Sequence, residues 1–277
     1  MNGAIIINKE KGMTSRDVVN RLNKIFNTKK IGHIGTLDPM ATGVLVCLIG
    51  KYTKLCDILV NHDKEYLASF KLGVLTDTLD ITGNILDSKD YDVSIDDVRR
   101  VIQSFEGSYL QEVPIYSAVK VNGKKLYDYA RSEKEVELPK RKVNIYSIDL
   151  IDYKDGIVTI KTKVSKGTYI RSLIRDIAER LGTYGTLVSL ERTCLDKFNI
   201  SDAYLLDDVK SGNYKLLNIE DLLPCEIIEV DDKLLFKIKN GQRLNYNFDY
   251  VLFKYNNIDV ALYSKYNENL IKPLIIF

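Results

Sequence analysis

Apolar residues along the chain alternate between two spacings, every second position and every third or fourth, and the changes of spacing divide it into elements. Residues 3–8 form a short apolar run that predicts a strand. Thr14 or Ser15 can cap a helix over about 16–27, where Val18, Val19, Leu22, Ile25 and Phe26 share one stripe. Residues 29–43 keep neither period and predict a long loop with three glycines and one proline. A buried strand over 44–49 and a helix over 51–59 follow. Tyr66, Ala68, Phe70 and Leu72 alternate as in a strand. Ser94-Ile95-Asp96-Asp97 resembles a capping box with Asp in place of Glu, opening a helix striped by Val98, Val101, Ile102 and Phe105. Residues 117–121 predict a strand closed by the Asn122-Gly123 turn, with a short helix over 125–131. Residues 141–153 and 156–164 predict a hairpin about Lys154-Asp155. A helix over 168–181 turns Ile170, Leu173, Ile174 and Ile177 inward and stops at Gly182. Residues 187–200 are mostly extended.

Beyond Asp202 short apolar stretches alternate with turns, and residues 226–277 predict a small, mostly β module, with a boundary within 210–226. The elements add up to an α/β (α+β) chain with a mixed, largely antiparallel sheet, without the regular βα alternation of a doubly wound fold.

The 277 residues are 45% hydrophobic and 28% charged, enough to bury a sizeable core and too apolar for a disordered chain. No apolar run reaches the roughly 18 residues of a membrane helix. The first residues do not have the form of a signal peptide. Cys47, Cys56, Cys194 and Cys225 are scattered, and His33 and His62 are the two histidines, so a zinc finger is unsupported and no metal site is expected. A reducing, cytoplasmic location is the simplest expectation. Net charge is only +2, but residues 1–54 carry nine Lys and Arg against three acids, whereas residues 57–110 carry five against eleven. Residues 112–145 and 161–192 are again net basic. This pattern allows a basic face for a polyanion.

The segment Gly32-His33-Ile34-Gly35-Thr36-Leu37-Asp38-Pro39-Met40-Ala41-Thr42-Gly43 suits a site that presents a reactive group. Its glycines permit left-handed turns and close approach of a ligand. Pro39 keeps the backbone of Asp38 out of the helical region. The spacing is not that of a nucleotide-phosphate loop, and neither a nucleophile elbow nor H-E-x-x-H is present.

This segment, continued through Val44-Leu45, closely resembles the catalytic loop of the bacterial tRNA pseudouridine-55 synthases, the TruB family. Four further stretches match in order. Ile7-Asn8-Lys9 with Lys11-Gly12-Met13-Thr14-Ser15 resembles the first motif of that family, and Asp63-Lys64-Glu65-Tyr66 its tyrosine motif. Tyr116-Ser117-Ala118-Val119-Lys120 with Asn122-Gly123-Lys124-Lys125-Leu126-Tyr127 resembles its RNA-gripping segment. Ser165-Lys166-Gly167-Thr168-Tyr169-Ile170-Arg171-Ser172-Leu173 resembles its arginine motif. The similarity is good over 1–200 and looser over 226–277, which resembles a PUA-like tail. Glu10 stands where the family often has proline, and Ile34 where threonine is common.

The resemblance implies a pseudouridine-synthase catalytic domain over 1–222, with an RNA-clasping insertion at about 112–145, and a PUA-like RNA-binding module over 223–277. It implies a monomeric, cytoplasmic isomerase acting on uridine 55 in the T loop of tRNA, with no metal, no small-molecule cofactor and no membrane partner. Asp38 would be the catalytic carboxylate, either forming a covalent adduct with sugar or base or removing the C2′ proton to give a glycal. Arg171 would keep Asp38 ionised, and Tyr66 would stack on the extruded base and take up the C5 proton. His33, Tyr169 and Leu190 would meet the substrate. Lys9, Lys120, Lys124, Lys125, Arg131, Arg141 and Lys142 would contact RNA. Two other classes fit parts of the pattern. One is an RNA-binding or tRNA-folding protein without turnover. The other is a glycosidase pairing Asp38 with a second carboxylate, for which Asp57 and Asp63 are formal candidates.

Overall fold

The protein is described by a computed structural model over residues 1–59, 62–132 and 134–277. Among these residues the main sheet has nine strands. Its path runs Gly3–Lys9, Thr42–Ile49, Gly185–Leu195, Lys64–Leu72, Ile157–Val164, Lys140–Lys154 and Gly107–Glu112. All neighbours along this path are antiparallel except Thr42–Ile49 and Gly185–Leu195, which touch in parallel at Glu191↔Thr42 and Arg192↔Gly43.

The apolar runs near the N-terminus are continuous because both of their faces are covered. Ile5, Ile7, Leu45, Cys47 and Ile49 pack on one side with Val18, Val19 and Leu22 of the helix Ser15–Ile25. Val98 and Ile102 of the helix Ile95–Gln103 join the same cluster, as do Leu173, Ile174 and Ile177 of the helix Ile170–Arg180. The alternate residues Ala4, Ile6, Val44, Val46 and Leu48 point into a second core. That core is completed by Leu252, Leu262 and Ile275 of a separate five-stranded sheet spanning Glu226–Glu229 to Leu270–Ile276. The odd neighbours Val251, Phe253, Ala261 and Tyr263 face the other way, toward Ile238. The C-terminal sheet is thus held between the helix Asp232–Lys239 and the main body. Lys51 Nζ donates to the Ile276 carbonyl at 2.9 Å across this junction.

Local signals act as the pattern predicts in several places. Thr14 is the cap that the first helix uses, bonding reciprocally with Asp17. Ser94 and Asp97 form the capping box despite the shorter acid. The hairpin Lys140–Lys154/Ile157–Val164 forms as expected, with its turn one residue later than expected, at Asp155 and Gly156, both at positive φ.

Other expectations need correction. The 29–43 loop contains a four-residue strand, Ile31–Ile34, paired with Thr42–Ile49. The 51–59 helix is a tight turn, Gly50–Leu55, followed by a single α turn, Cys56–Leu59. Of 117–121 only Lys120–Val121 is extended, pairing with Lys124–Lys125. The C-terminal β module includes the unforeseen helix Asp232–Lys239. Among the described residues no helix is long and apolar enough to cross a membrane.

Gly43 sits where three strands meet, opposite Lys9 on one side and Arg192 on the other. Its φ is +99°, and a Cβ there would lie 2.3 Å from the Arg192 carbonyl oxygen and 2.8 Å from its nitrogen. Both contacts are backbone and have little room to yield. The Gly43→Ala variant is therefore expected to lose about 3 kcal/mol of stability, read as a lowered urea midpoint. An unchanged midpoint would mean that the three-strand junction is not as tight as described.

Candidate active site

Asp38 lies in the loop over 35–41, between the strands Ile31–Ile34 and Thr42–Ile49. Four anchors fix that loop. Ser15, the residue the helix does not use as its cap, accepts from the Leu37 N–H at 2.9 Å and donates to its carbonyl at 3.2 Å. The Gly12 N–H donates to the Pro39 carbonyl at 2.8 Å. Lys9 Nζ reaches the carbonyls of Met13 at 2.7 Å, Glu10 at 3.0 Å and Pro39 at 3.4 Å. Arg192 Nη2 donates to the Gly35 carbonyl at 2.8 Å.

Arg171, on the first turn of the helix Ile170–Arg180, stands behind Asp38. Its Nη2 is 3.1 Å from Asp38 Oδ2 and donates to the Tyr116 carbonyl at 3.0 Å. Its Nη1 donates to the Thr78 carbonyl at 3.0 Å and lies 3.9 Å from Asp80 Oδ2. The arginine side chain is only 7% exposed, against 39% for Asp38. A desolvated guanidinium thus holds one oxygen of an acid whose free edge is open to a ligand. Asp80 is itself held by the Thr78 and Thr82 hydroxyls.

A pocket of about 150 Å³ opens in front of Asp38. Tyr66, Tyr169, Arg171 and Leu190 line it together with Asp38, Lys64 and Arg192. Five of the residues singled out in the sequence therefore converge. His33 does not line the pocket. It is half-buried on the strand Ile31–Ile34, and its Nδ1 has no hydrogen-bond partner among the described residues. Burial lowers its pKa, and Arg16 and Arg192 lower it further.

Lys9 departs most from expectation. It is fully buried, and its ammonium is occupied by the three carbonyls, so it braces the loop and is not presented at the surface. Burial pushes its pKa down to about 8, opposed by the nearby Asp38. Between pH 8 and the usual lysine value of 10.5 the unfolded chain binds more protons than the folded one. The Lys9 contribution to stability is thus fully present above that window and is lost as pH falls through 8. Urea midpoints measured across the window are expected to rise more in wild type than in the Lys9→Met variant. Equal rises would contradict this placement.

The remaining basic candidates are at the surface or partly so. Lys120 and Lys124 flank the Asn122-Gly123 turn and are exposed, as are Arg131, Arg141 and Lys142. Lys125 is half-buried, bonds the Tyr127 hydroxyl at 2.9 Å and, with Arg131, lies over the Tyr127 ring. Asp57 and Asp63 do not reach the pocket, and among the described residues lining it Asp38 is the only carboxylate. A glycosidase-type acid pair is therefore not formed there.

A family model described as TruB family pseudouridylate synthase (N terminal domain) matches residues 23–170, more than half of the chain. The chain belongs to the TruB family. The tRNA pseudouridine synthase B of Mesoplasma florum is 38% identical over 98% of this chain and 96% of its own. That of Borreliella burgdorferi is 36% identical over 100% and 99%. The fold also matches a chain of the crystal structure of a Cbf5-Nop10-Gar1 complex, with a TM-score of 0.71 at 23% identity over 99% of this chain and 85% of that one. The chain is thus a pseudouridylate synthase, an isomerase of mixed α/β fold.

Motif resemblance assigned no role to two cationic pocket residues of this TruB-family enzyme, Lys64 and Arg192, although strand alternation points to both. Lys64 is two residues before Tyr66, and Arg192 two after Leu190. Arg192 is 1% exposed, donates from Nε to the Val44 carbonyl at 2.7 Å, and pairs across the strands with Tyr66. Burial pulls its pKa down while Tyr66 opposes the shift. Lys64 donates to the His62 carbonyl at 2.6 Å, and burial, followed by Arg192, brings its pKa down to about 8.

Proposed function

We propose that this TruB-family enzyme converts uridine 55 in the T loop of tRNA to pseudouridine, with Asp38 as the catalytic carboxylate. The observation that carries this reading is the ion pair of Asp38 with the buried Arg171 at the mouth of a pocket also lined by Tyr66, Tyr169 and Leu190. The relatives named tRNA pseudouridine synthase B support the choice of tRNA.

The reaction breaks the N1–C1′ bond, turns the uracil and joins C5 to C1′, after which the C5 proton leaves. No atom of the nucleotide is exchanged except that proton, so neither an energy donor nor a redox partner enters the balance. Asp38 acts either as the nucleophile that attacks the nucleoside or as the base that removes the C2′ proton, and Arg171 holds and orients it for that step. The pocket holds one base and no duplex, so the target nucleotide must leave its stack, at a cost of a few kcal/mol. Tyr66 and Tyr169 offer rings to the extruded base. Tyr66, which sits opposite Arg192 on the neighbouring strand, also brings a hydroxyl for the late proton. Detached uracil stays between these walls and can rejoin through a different atom.

The basic segment from Lys120 to Lys142 supplies surface charge for the phosphates around that loop, where Lys120, Lys124, Arg131, Arg141 and Lys142 are exposed. The test is tritium release from unmodified tRNA labelled at uracil C5. Release is expected from the wild-type transcript and not from one carrying cytidine at position 55. Equal release from both transcripts would refute the site, and none from either would refute the activity.

A further inference from the structure

The wall of the pocket that carries Arg171 is held from behind by a buried amide that lies outside the pocket. Gln111 is 1% exposed and belongs to the strand Gly107–Glu112, which leads into the insertion expected to clasp RNA. Its Oε1 accepts from the Tyr169 N–H at 2.8 Å. Its Nε2 donates to the Tyr169 carbonyl at 3.1 Å and to the Tyr109 hydroxyl at 2.6 Å. The amide orientation is set by this pattern, because the peptide N–H requires an acceptor.

One side chain therefore binds both polar backbone groups of a residue whose ring lines the pocket. Tyr169 is also the cap of the helix Ile170–Arg180 and offers no side-chain cap bond of its own. Its carbonyl already accepts from Leu173 in the first turn at 3.0 Å. Fixing the N–H and carbonyl of this residue limits both of its backbone rotations. Those rotations aim the Tyr169 ring and set the start of the helix that presents Arg171 two residues later. The Tyr109 hydroxyl extends the chain of bonds to Asp176 at 3.2 Å, and Asp176 in turn binds Arg175. Ser172 makes a second tie from this helix to the same strand, its hydroxyl donating to the Glu112 carbonyl at 2.8 Å and not to Tyr169.

We propose that Gln111 is a positioning residue for the reaction, holding Tyr169 against the base and Arg171 against Asp38. It couples that geometry to the strand from which the insertion emerges. The inference rests on the pseudouridine reading above. Removing the amide leaves both backbone groups of Tyr169 without this partner, and the pocket wall gains freedom while the RNA-facing surface is unaltered. The predicted defect is therefore in the chemical step and not in tRNA affinity.

The experiment measures single-turnover tritium release at saturating tRNA, tRNA binding and thermal midpoints for Gln111→Ala, Gln111→Glu and Ser172→Ala. Both Gln111 variants are expected to react about ten-fold more slowly or worse, with tRNA affinity within about two-fold of wild type. Ser172→Ala cuts a bond between the same two elements and is expected to keep the wild-type rate. Should Gln111→Ala fail to fold, the near-isosteric Gln111→Glu decides, because it keeps the volume and loses the donors. A wild-type rate in a folded Gln111 variant would overturn the proposal, as would equal slowing by Ser172→Ala at a similar thermal midpoint. Absence of release by the wild-type enzyme is a separate result, which removes the pseudouridine reading before any variant is compared.

Discussion

The Asp38→Asn variant is expected to release tritium from uracil C5 about ten-thousand-fold more slowly than wild type, or not measurably. The change replaces one carboxylate oxygen by an NH2 group of nearly the same size, and Asp38 is 39% exposed, so packing is barely disturbed. The amide has neither the nucleophilicity to form an adduct nor the basicity to take a proton from C2′, so both routes stop at their first step. The carbonyl oxygen of asparagine can still accept from Arg171, which leaves the loop held by Ser15, Gly12, Lys9 and Arg192. Thermal midpoint and tRNA affinity are accordingly expected to stay close to wild type. Retention of even a few per cent of the wild-type rate would remove Asp38 from the role assigned to it.

The Arg171→Met variant is expected to lose both activity and stability. Its guanidinium serves Asp38, the Thr78 and Tyr116 carbonyls and, at longer range, Asp80. Methionine keeps much of the volume and none of the donors. Asp80, 7% exposed, is then left as a buried carboxylate without its cation, a loss of about 3 kcal/mol. The rate is expected to fall about a thousand-fold, because Asp38 loses the charge that holds and orients it. Adding Asp80→Asn to Arg171→Met separates the two effects. The second change removes the stranded charge and is expected to restore part of the urea midpoint without restoring turnover. Recovery of turnover along with stability would show that Arg171 acts only as scaffold.

The parts of this structure that could be read from the chain are those in which partners are close in sequence or both faces of an element have one character. The strand Gly3–Lys9, the helix Ser15–Ile25 and the hairpin closed by Asp155 and Gly156 meet those conditions. Ile31–Ile34 does not. Four residues containing Gly32 and His33 show no alternation, and the strand exists because Thr42–Ile49 pairs with it. The helix Asp232–Lys239 buries chiefly Ile238, too little for a stripe in a segment crowded with turns. At the site, motif resemblance led to Asp38, Tyr66, Tyr169, Arg171 and Leu190, which line one pocket. It also implied that Lys9 contacts RNA, although that lysine is fully buried. Three carbonyls from the following turn and the Asp38 loop supply the solvation instead. Gln111 offered no signal, since the peptide it binds is 58 residues away.

The sharing of the second core between the two sheets bears on how the C-terminal module can be studied. Truncation near residue 222 would remove Leu252, Leu262 and Ile275 from their packing against Ala4, Ile6 and Val46. A greasy scar would be left on the back of the very strands that frame the Asp38 loop. A shortened protein that fails would thus report collapse or clumping as readily as a lost grip on RNA. Charge reversals on the outer surface of the module, with the buried seam intact, are the cleaner way to ask what it holds.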